Sequence, residues 1–214
     1  MDVAKLHYYM TRIKKISGWF DSHAVWAMMI PINAAQIAAE VTGNWLEIGT
    51  YQGRSFIPMY LIRRPLEAAV AVDNFRAKEK RCCGKKPRPT RQLFWNNLKL
   101  HCGDLGHVRL IEKDSKQVTA AELMVTGPYR FIHIDGGHDA ASLANDLGLA
   151  YQVAAPNAVI LIDDYGHKAW PQVQAATQAW IRANDNDLRL IGVKFNKAIF
   201  VRETFKDRLR FLQF

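Results

Sequence analysis

Cysteine is scarce in this sequence, and the few cysteines present do not suit a disulfide-stabilised secreted protein. Only Cys82, Cys83 and Cys102 occur in 214 residues. An odd count with an adjacent pair fits a reducing compartment, and the spacing CC-x18-C matches no recognised pattern of zinc ligands. The sequence also lacks the basic, apolar and small-residue regions of a secretory signal peptide. We therefore expect a cytoplasmic protein.

Long hydrophobic runs and the common nucleotide-binding motifs are missing as well. The most apolar stretch, 24–41, contains Pro31, Gln36 and Glu40, which favours packed helices over a membrane span. Neither GxGxxG nor GxxxxGK[ST] occurs, so a dinucleotide or triphosphate site is not favoured, and a nicotinamide-dependent dehydrogenase is disfavoured. The length suits one globular domain with a complete core.

Positive charge is abundant and unevenly placed. The formal net charge is +9, and eight of the sixteen residues at 76–91 are Lys or Arg. This insert fits either a solvated loop or an electropositive rim that attracts an anionic acceptor. Few aromatic residues accompany the charges, so a nucleic-acid groove is not specifically indicated.

Short apolar strands alternate with helical stretches from residue 43 onward. This pattern predicts an α/β protein with a doubly wound, largely parallel sheet. Only residues 194–196 join the last two strands, which predicts an antiparallel hairpin. The predicted strands are 44–49, 69–73, 107–112, 129–135, 158–163, 187–193 and 197–201. The predicted helices are 53–64, 90–100, 117–125, 140–154 and 168–183. Residues 1–42 are expected to form a helical cover, interrupted at Pro31, over the domain formed by 43–214.

Two apolar runs of the sequence end in acidic residues. One leads to Asp135, and the other leads to Asp163 and Asp164. The 22 residues between them hold one helix, so the strands should be parallel neighbours with adjacent carboxyl ends, where open α/β sheets bind ligands. Three clustered carboxylates favour a divalent cation with a preference for oxygen ligands. His138 would overhang the same place. As alternatives, Asp135 could be a cap or turn residue, Asp163 and Asp164 could be solvated loop residues, and His138 could begin a helix without a chemical role.

The first strand of this pattern ends in a glycine turn. Gly49 and Gly53 allow a tight strand-to-helix connection and a close backbone approach to a ligand. The next strand ends at Asp73, 20 residues beyond Gly53, where a carboxylate could accept hydrogen bonds from both hydroxyls of a ribose. A nucleoside ligand is therefore indicated, with a helix cap as the alternative role of Asp73.

Five segments in the same order carry a family resemblance. The chain resembles class I S-adenosylmethionine-dependent methyltransferases of the metal-dependent O-methyltransferase group, especially the macrocin O-methyltransferase type and, more distantly, catechol and caffeoyl-CoA O-methyltransferases. The resemblance implies a Rossmann-like, seven-stranded sheet of order 3-2-1-4-5-7-6 with the last strand antiparallel. The segments, which span about 44–170, are LEIGTYQGRS, AVAVDN, VRLIEKDS, FIHIDGGH and VILIDDY.

The resemblance also assigns cofactor contacts. It places Glu47 and Gly49 near the methionine portion of S-adenosylmethionine, and Ser55 at its carboxylate. Asp73 would bind the ribose hydroxyls, with Gly53 in the same cofactor-binding turn. The adenine ring would face Asp114 and Ser115, a pair that by itself is typical of a turn.

For the chemistry, the resemblance implies a metal held by Asp135, Asp163 and Asp164, with Mg²⁺ as the expected ion. His138 would be the general base that deprotonates an acceptor hydroxyl, with Asp135 as its catalytic companion. The function indicated is O-methylation of a hydroxylated small molecule, with an anionic acceptor as one candidate. The alternatives are a protein that methylates or binds nucleic acid through the 76–91 insert, and a non-catalytic binding domain. The C-terminal stretch 208–212 could dock on a second copy of the chain or be an ordinary terminal segment.

Overall fold

A seven-stranded sheet forms the centre of the molecule in the computed structural model, which describes residues 2–76 and 88–207. Its order is β3-β2-β1-β4-β5-β7-β6. Strands β1 to β5 pair in parallel, and β7 pairs antiparallel with both β5 and β6. The strands are β1 (Asn44–Ile48), β2 (Ala69–Val72), β3 (Val108–Ile111), β4 (Tyr129–Ile134), β5 (Ala154–Ile162), β6 (Leu188–Lys194) and β7 (Lys197–Arg202). The predicted order and the antiparallel last strand are both confirmed.

The hairpin between β6 and β7 is a two-residue turn. Lys194 pairs with Lys197, and the intervening Phe195 and Asn196 have φ angles of 52° and 56°. Two successive left-handed residues are the signature of a tight hairpin whose twist matches that of the strands. This turn brings the start of β7 to the carboxyl end of β5.

Helices cover both faces of the sheet. The N-terminal segments with α3 and α4 pack on one face, and α5, α6 and α7 pack on the other. The α-helices are α1 (Val3–Met10), α2 (Ile30–Ala38), α3 (Phe56–Ile62), α4 (Arg91–Cys102), α5 (Ala120–Met124), α6 (Ala140–Val153), α7 (Pro171–Ala183) and α8 (Glu203–Lys206).

The N-terminal residues belong to the same apolar core as the sheet. Leu6 and Ile32 are fully buried in one cluster with Trp45 of β1. The expected interruption at Pro31 is wrong, because a π-helical turn at Val25–Met29 runs directly into α2. Pro31 lies in the first turn of α2, where its missing N–H costs no intrahelical hydrogen bond. The division into 1–42 and 43–214 stays a prediction.

Some sequence predictions fall outside the described residues. Most of the basic insert, 77–87, lies there, as do Cys82, Cys83 and the C-terminal stretch 208–212. Over the portions of the chain that the structure does describe, none of the helices combines the length and the apolar character that a membrane crossing requires.

Candidate active site at the carboxyl edge of the sheet

A cavity of about 1160 Å³ lies at the carboxyl ends of the parallel strands. It is large compared with typical small-molecule sites, so it has room for a nucleoside ligand and a second molecule. The loops after β1, β2, β3, β4 and β5 form its floor, and the 17–21 segment and the β6–β7 turn close its sides. The cavity therefore lies where the fold places ligands in open α/β sheets.

Gly49 lets the loop after β1 pass against the end of β4. Its φ is +87°, and a Cβ there would lie 2.1 Å from the carbonyl oxygen of Asp135. Gly53, with a φ of +86°, packs against Leu98 and Phe94 of α4. Gly49 lines the cavity, whereas Gly53 is absent from its wall and shapes the turn from behind.

Asp73 organises this loop through its carboxylate. Oδ2 accepts the backbone N–H groups of Thr50, at 2.8 Å, and Tyr51, at 2.6 Å. Oδ1 accepts the N–H of Phe75 at 2.6 Å. Burial raises the pKa of Asp73, and these three N–H donors counteract that rise. Asp73 thus joins its own loop to the loop after β1, caps no helix among the described residues, and also lines the cavity.

The loops after β2 and β3 meet at one end of the cavity. Asp114 caps a short 3-10 helix, Ser115–Gln117, by accepting the N–H of Lys116 at 3.1 Å. Its Oδ2 also accepts the side-chain amide of Asn74 at 3.3 Å. Both Asp114 and Ser115 line the cavity next to Asn74, so the structure brings the predicted ribose and adenine positions together.

Glu47 and Ser55 occupy different depths. Ser55 is buried and lines the cavity at the residue before α3. Glu47 is completely buried behind the wall, where Oε1 lies 2.7 Å from Nδ1 of His133. Its Oε2 has no hydrogen-bond partner among the described residues. The structure therefore places Glu47 beneath the cofactor end of the cavity and not in its wall.

Strand pairing aligns four charged residues, the buried row, on one face of the sheet. Glu47 of β1 pairs directly with His133 of β4. Since Ile162 pairs with Ala198, the residues beside this pair, Asp163 and Lys197, also meet. His133 Nε2 lies 3.3 Å from Oδ2 of Asp163, whose Oδ1 forms an ion pair with Lys197. Negative and positive groups alternate along the four members Glu47, His133, Asp163 and Lys197.

Contacts within the buried row oppose the effect of burial on two of its members, His133 and Asp163. Burial would lower the pKa of His133, but the carboxylates of Asp163 and Glu47 raise it to about 10. Burial acts in the opposite direction on Asp163, yet Lys197 and His133 hold the pKa of its carboxyl well below the usual range. Each member of the row therefore lies beside a group of opposite sign, which is one condition under which buried ionic groups are tolerated.

A second group of donors faces the cavity above the buried row. Asp135, His138 and Asp164, the outer group, each offer an atom within 4.8 Å of the others. Nε2 of His138 lies 3.0 Å from Oδ2 of Asp164. The ring of Trp170 packs on His138 with a centroid separation of 4.3 Å.

The three predicted metal ligands do not all share one environment. Asp135 lies near both sets, because it also meets His133 and Asp163 within 4.8 Å. Burial and the charge of Asp163 raise the pKa of Asp135 well above its usual value. Asp163 points into the buried row, whereas Asp164, with a φ of 56°, turns toward His138. The backbone reversal after β5 thus separates two consecutive carboxylates.

The opposite side of the cavity presents aromatic and amide groups. Trp19 and Phe20 enter from the segment before α2, and Phe195 and Asn196 enter from the β6–β7 turn. Trp19 is 62% exposed, so its ring offers an open apolar face. His167 and Trp170 complete this wall. This half of the cavity therefore suits a second molecule better than it suits a nucleoside.

Comparison with family models matches residues 46–165 to a family described as a methyltransferase domain. The matched segment covers more than half of the chain and carries Asp73, the outer group and Asp163. The chain belongs to this methyltransferase family. The prediction of a class I S-adenosylmethionine-dependent methyltransferase is thereby confirmed, and with it the expectation of an enzyme.

Solved methyltransferase structures share the fold at low sequence identity. The O-methyltransferase NovP superposes with a TM-score of 0.65 at 16% identity, over 83% of this chain and 79% of NovP. CalS11, a TDP-rhamnose 3′-O-methyltransferase of calicheamicin biosynthesis, gives 0.57 at 17% identity, over 94% and 93%. An O-methyltransferase from Bacillus cereus in complex with S-adenosylhomocysteine gives 0.57 at 16% identity, over 93% and 90%. No curated protein matches the chain.

Several residues at the methyltransferase site were missed by reasoning from the sequence. Lys197 begins an otherwise apolar strand, and that position was the available signal for a buried, paired lysine. Asn74 directly follows Asp73 in the AVAVDN segment, which places it near the nucleoside end. Trp170 precedes Pro171, the first residue of α7, and nothing in the local pattern predicts its contact with His138.

Proposed function

We propose that this methyltransferase transfers the methyl group of S-adenosylmethionine to a hydroxyl of a small molecule with the help of a divalent cation. The observation that carries the proposal is the outer group, whose three donor atoms lie within 4.8 Å of one another beside the cavity. The cofactor end, from Gly49 to Asp73, borders the same cavity. A two-part cavity with an acidic centre suits two reactants that meet at that centre.

The cofactor proposal uses residues already fixed by hydrogen bonds. Asp73 holds the loop after β1 and leaves its partly exposed carboxylate at the cavity, where ribose hydroxyls could donate to it. Asp114 and Ser115 lie one loop further along and would face the adenine ring. Ser55 and Gly49 lie at the opposite end, near the methionine portion. S-adenosylhomocysteine bound to the Bacillus cereus protein supports this ligand class.

The donor set fits a divalent cation. We propose Asp135 and Asp164 as its principal ligands and Asp163, which is paired with Lys197, as a weaker third. Mg²⁺ is the expected ion, because carboxylate oxygens suit a hard cation. The buried row balances its own charges, so the carboxylates of Asp135 and Asp164 are those left to attract a cation from the cavity. When bound, the cation supplies Lewis acidity that lowers the pKa of a hydroxyl group.

His138 is proposed as the general base. It lies on the loop after β4 with its ring between Trp170 and Asp164, and its side chain is 28% exposed. An imidazole near neutral pH can accept a proton from a hydroxyl placed over Asp135 and leave an oxygen nucleophile. Trp170 limits the rotation of the ring by packing on it.

The acceptor is proposed to be a hydroxylated small molecule. Names of structural neighbours support this class, since CalS11 acts on TDP-rhamnose. An anionic acceptor stays a prediction, because most of the basic insert at 76–91 lies outside the described residues. The alternative, methyl transfer to nucleic acid through that insert, is tested by polynucleotide binding. Binding that weakens steeply with added salt would support this alternative.

The metal proposal is tested by methyl transfer from labelled S-adenosylmethionine to a panel of hydroxylated compounds, with Mg²⁺ or with a chelator. Asp135→Asn should abolish transfer while leaving the Kd for S-adenosylhomocysteine within about threefold. Asp185→Asn is the matched control, because this exposed carboxylate lies outside the cavity wall. Undiminished transfer by Asp135→Asn, or by the wild type in chelator, would contradict the metal role.

The assignment of His138 as base is tested separately. His138→Ala should lose transfer, retain Mn²⁺ binding and recover part of its activity when imidazole is added. If the variant instead loses Mn²⁺ binding by more than about tenfold, His138 is a ligand and not the base.

A further inference from the structure

We propose that Lys197 is a built-in counter-ion that withdraws Asp163 from the divalent cation, so that Lys197 lowers the affinity of the site for metal. The inference rests on the proposed function, because it concerns a cation at Asp135 and Asp164. It assigns a role to a lysine that the methyl-transfer chemistry itself does not use.

The position of Lys197 is set by the sheet. It is the first residue of β7, next to Ala198, which pairs with Ile162 of β5. This register carries the lysine to the tip of β5, where Nζ forms an ion pair with Oδ1 of Asp163. Lys197 is 2% exposed, and the ring centroid of Phe20 lies 4.8 Å from its Nζ. Lys197 also lines the cavity, so its ammonium lies between the buried row and the place where a cation would enter.

The hydrogen-bonding capacity of Asp163 is largely used. Its Oδ1 accepts the backbone N–H of Asp164 at 2.8 Å in addition to the Lys197 ammonium. Its Oδ2 lies 3.3 Å from Nε2 of His133. A carboxylate has about four lone-pair positions, two on each oxygen, and Oδ1 has used both of its own. A cation would have to bind at Oδ2, which already faces the His133 ring, while the Lys197 ammonium stays on the other oxygen of the same carboxylate.

The other two carboxylates lack such a partner. Within residues 2–76 and 88–207, no Lys or Arg nitrogen lies within 4.0 Å of the carboxylate of Asp135 or of Asp164. The contact of Asp164 in the outer group is His138. Lys197 therefore discriminates between consecutive residues: it pairs with Asp163 and leaves Asp164 available.

Two consequences follow for metal binding. Removal of the ammonium should strengthen binding, because a like charge at short range opposes the incoming cation. Removal of Asp163 alone leaves the Lys197 charge unneutralised beside the site, so its value as a ligand is read only where Lys197 has also been removed. In that background Asp163 should act as a full ligand, and the two substitutions should be non-additive because the two groups share one carboxylate.

The experiment is a double-mutant cycle on Lys197 and Asp163 that uses Mn²⁺ as the probe. Free Mn²⁺ is measured by electron paramagnetic resonance on the full chain without any acceptor, so no turnover is needed. Lys197→Met should lower the Kd for Mn²⁺ at least about tenfold, equivalent to about 1.4 kcal/mol. Asp163→Asn should raise the Kd at least about tenfold when it is added to Lys197→Met.

Lys194→Met is the matched control. Lys194 pairs directly with Lys197 across the same hairpin, and its Nζ lies over the ring of Phe195 at 5.8 Å. Its removal subtracts one positive charge from the hairpin without touching Asp163, so the Kd for Mn²⁺ should stay within about twofold. Folding of every variant is checked by circular dichroism and by S-adenosylhomocysteine binding. Lys197→Gln serves if Lys197→Met does not fold.

The outcomes separate the inference from the proposed function. Equal Mn²⁺ affinity of the wild type and of the Lys197 variants would overturn the inference and leave the metal site standing. A change of less than about twofold in the Kd for Mn²⁺ on adding Asp163→Asn to Lys197→Met would also overturn it, because Asp163 would then not bind the cation even when free of Lys197. Absence of Mn²⁺ binding in all variants would overturn the cation site and, with it, this role of Lys197.

Discussion

Removal of the Glu67 carboxylate should destabilise the protein far more than removal of an exposed one. Glu67 forms two hydrogen-bonded contacts with the fully buried Arg130, from Nε to Oε1 and from Nη2 to Oε2, each 2.7 Å long. Its Oε2 also accepts the indole N–H of Trp45 at 2.8 Å. Arg130 donates its remaining bonds to the side chains of Gln36 and Asn33, at 2.7 and 2.8 Å.

The magnitude follows from what the change leaves unpaired. Glu67→Ala leaves the buried Arg130 guanidinium without its carboxylate partner, at a cost of about 3–5 kcal/mol. It also leaves the indole N–H of Trp45 without an acceptor, at a cost of about 1 kcal/mol or more. We therefore expect a loss of about 5 kcal/mol in the free energy of unfolding. This is a large part of the stability of a typical domain, which is about 5–15 kcal/mol. Glu67→Gln keeps the acceptor oxygen and should lose less, about 2–3 kcal/mol.

The assay is urea unfolding followed by circular dichroism, with the midpoint shifted and the slope m unchanged. Glu112→Gln is the control. Glu112 pairs with Arg91 at 3.5 Å, with side chains 45% and 65% exposed, and should contribute less than about 0.5 kcal/mol. A loss below about 1 kcal/mol in Glu67→Ala would refute the reasoning that the pair is desolvated.

The pH dependence of the same pair has a defined sign. Burial opposes ionisation of Glu67, but the bonds from Arg130 hold the pKa of its carboxyl below the usual value. The stabilisation is therefore present above the unfolded pKa, about 4.3, and is lost as the pH falls through the folded pKa. The difference in the free energy of unfolding between wild type and Glu67→Gln should shrink as the pH falls. The candidate active site should be unaffected, since five residues of β4 put Arg130 about 16 Å from Asp135.

Three further outcomes are expected. Asp73→Ala should raise the Kd for S-adenosylhomocysteine at least about tenfold, measured by calorimetry, because the loop after β1 loses the carboxylate that holds it. Mn²⁺ binding should be unchanged, and a change in the Kd below twofold would contradict this prediction. Burial raises the pKa of Asp146 to about 6, so the contribution of Asp146 to stability should fall as the pH rises from about 4 to 6 and be flat above. Asp146→Asn should therefore gain up to about 3 kcal/mol relative to wild type at pH 7 compared with pH 4, and an equal difference at both pH values would refute the shift. Trp170→Ala should lower kcat about tenfold with little change in KM, because the indole ring holds His138 in place. Trp170→Phe should restore kcat, and an unchanged kcat in Trp170→Ala would show that the contact is dispensable.

The local pattern of the chain was sufficient for the architecture. Runs of apolar β-branched residues separated by helical periods predict a doubly wound sheet, since such strands must be covered on both faces. The three-residue link at 194–196 predicts the antiparallel last strand, because it is too short for a parallel crossover. Acid at the ends of two parallel strands predicts the shared edge at Asp135 and Asp164 for the same topological reason.

The positions of side chains relative to one another could not be obtained in this way. Arg130 meets Gln36, which is 94 residues earlier in the chain, and no local spacing encodes that contact. The separation of Asp163 from Asp164 depends on a left-handed residue after β5, which periodicity does not reveal. Glu47 likewise follows the family pattern of the glycine turn, yet the sheet places it against His133 and behind the cavity wall.

The sequence alone therefore determined the class of fold, the edge of the sheet where the candidate site lies and most of the residue types found there. This was possible because hydrophobic periodicity and the ends of strands are local properties of the chain. Only the tertiary structure decided which charges neutralise one another. Strand register places Lys197 beside Asp163 and Glu47 beside His133, and the enclosed, low-dielectric setting makes those pairings strong. The same register leaves Asp135 and Asp164 facing the cavity, where a cation and an acceptor can reach them.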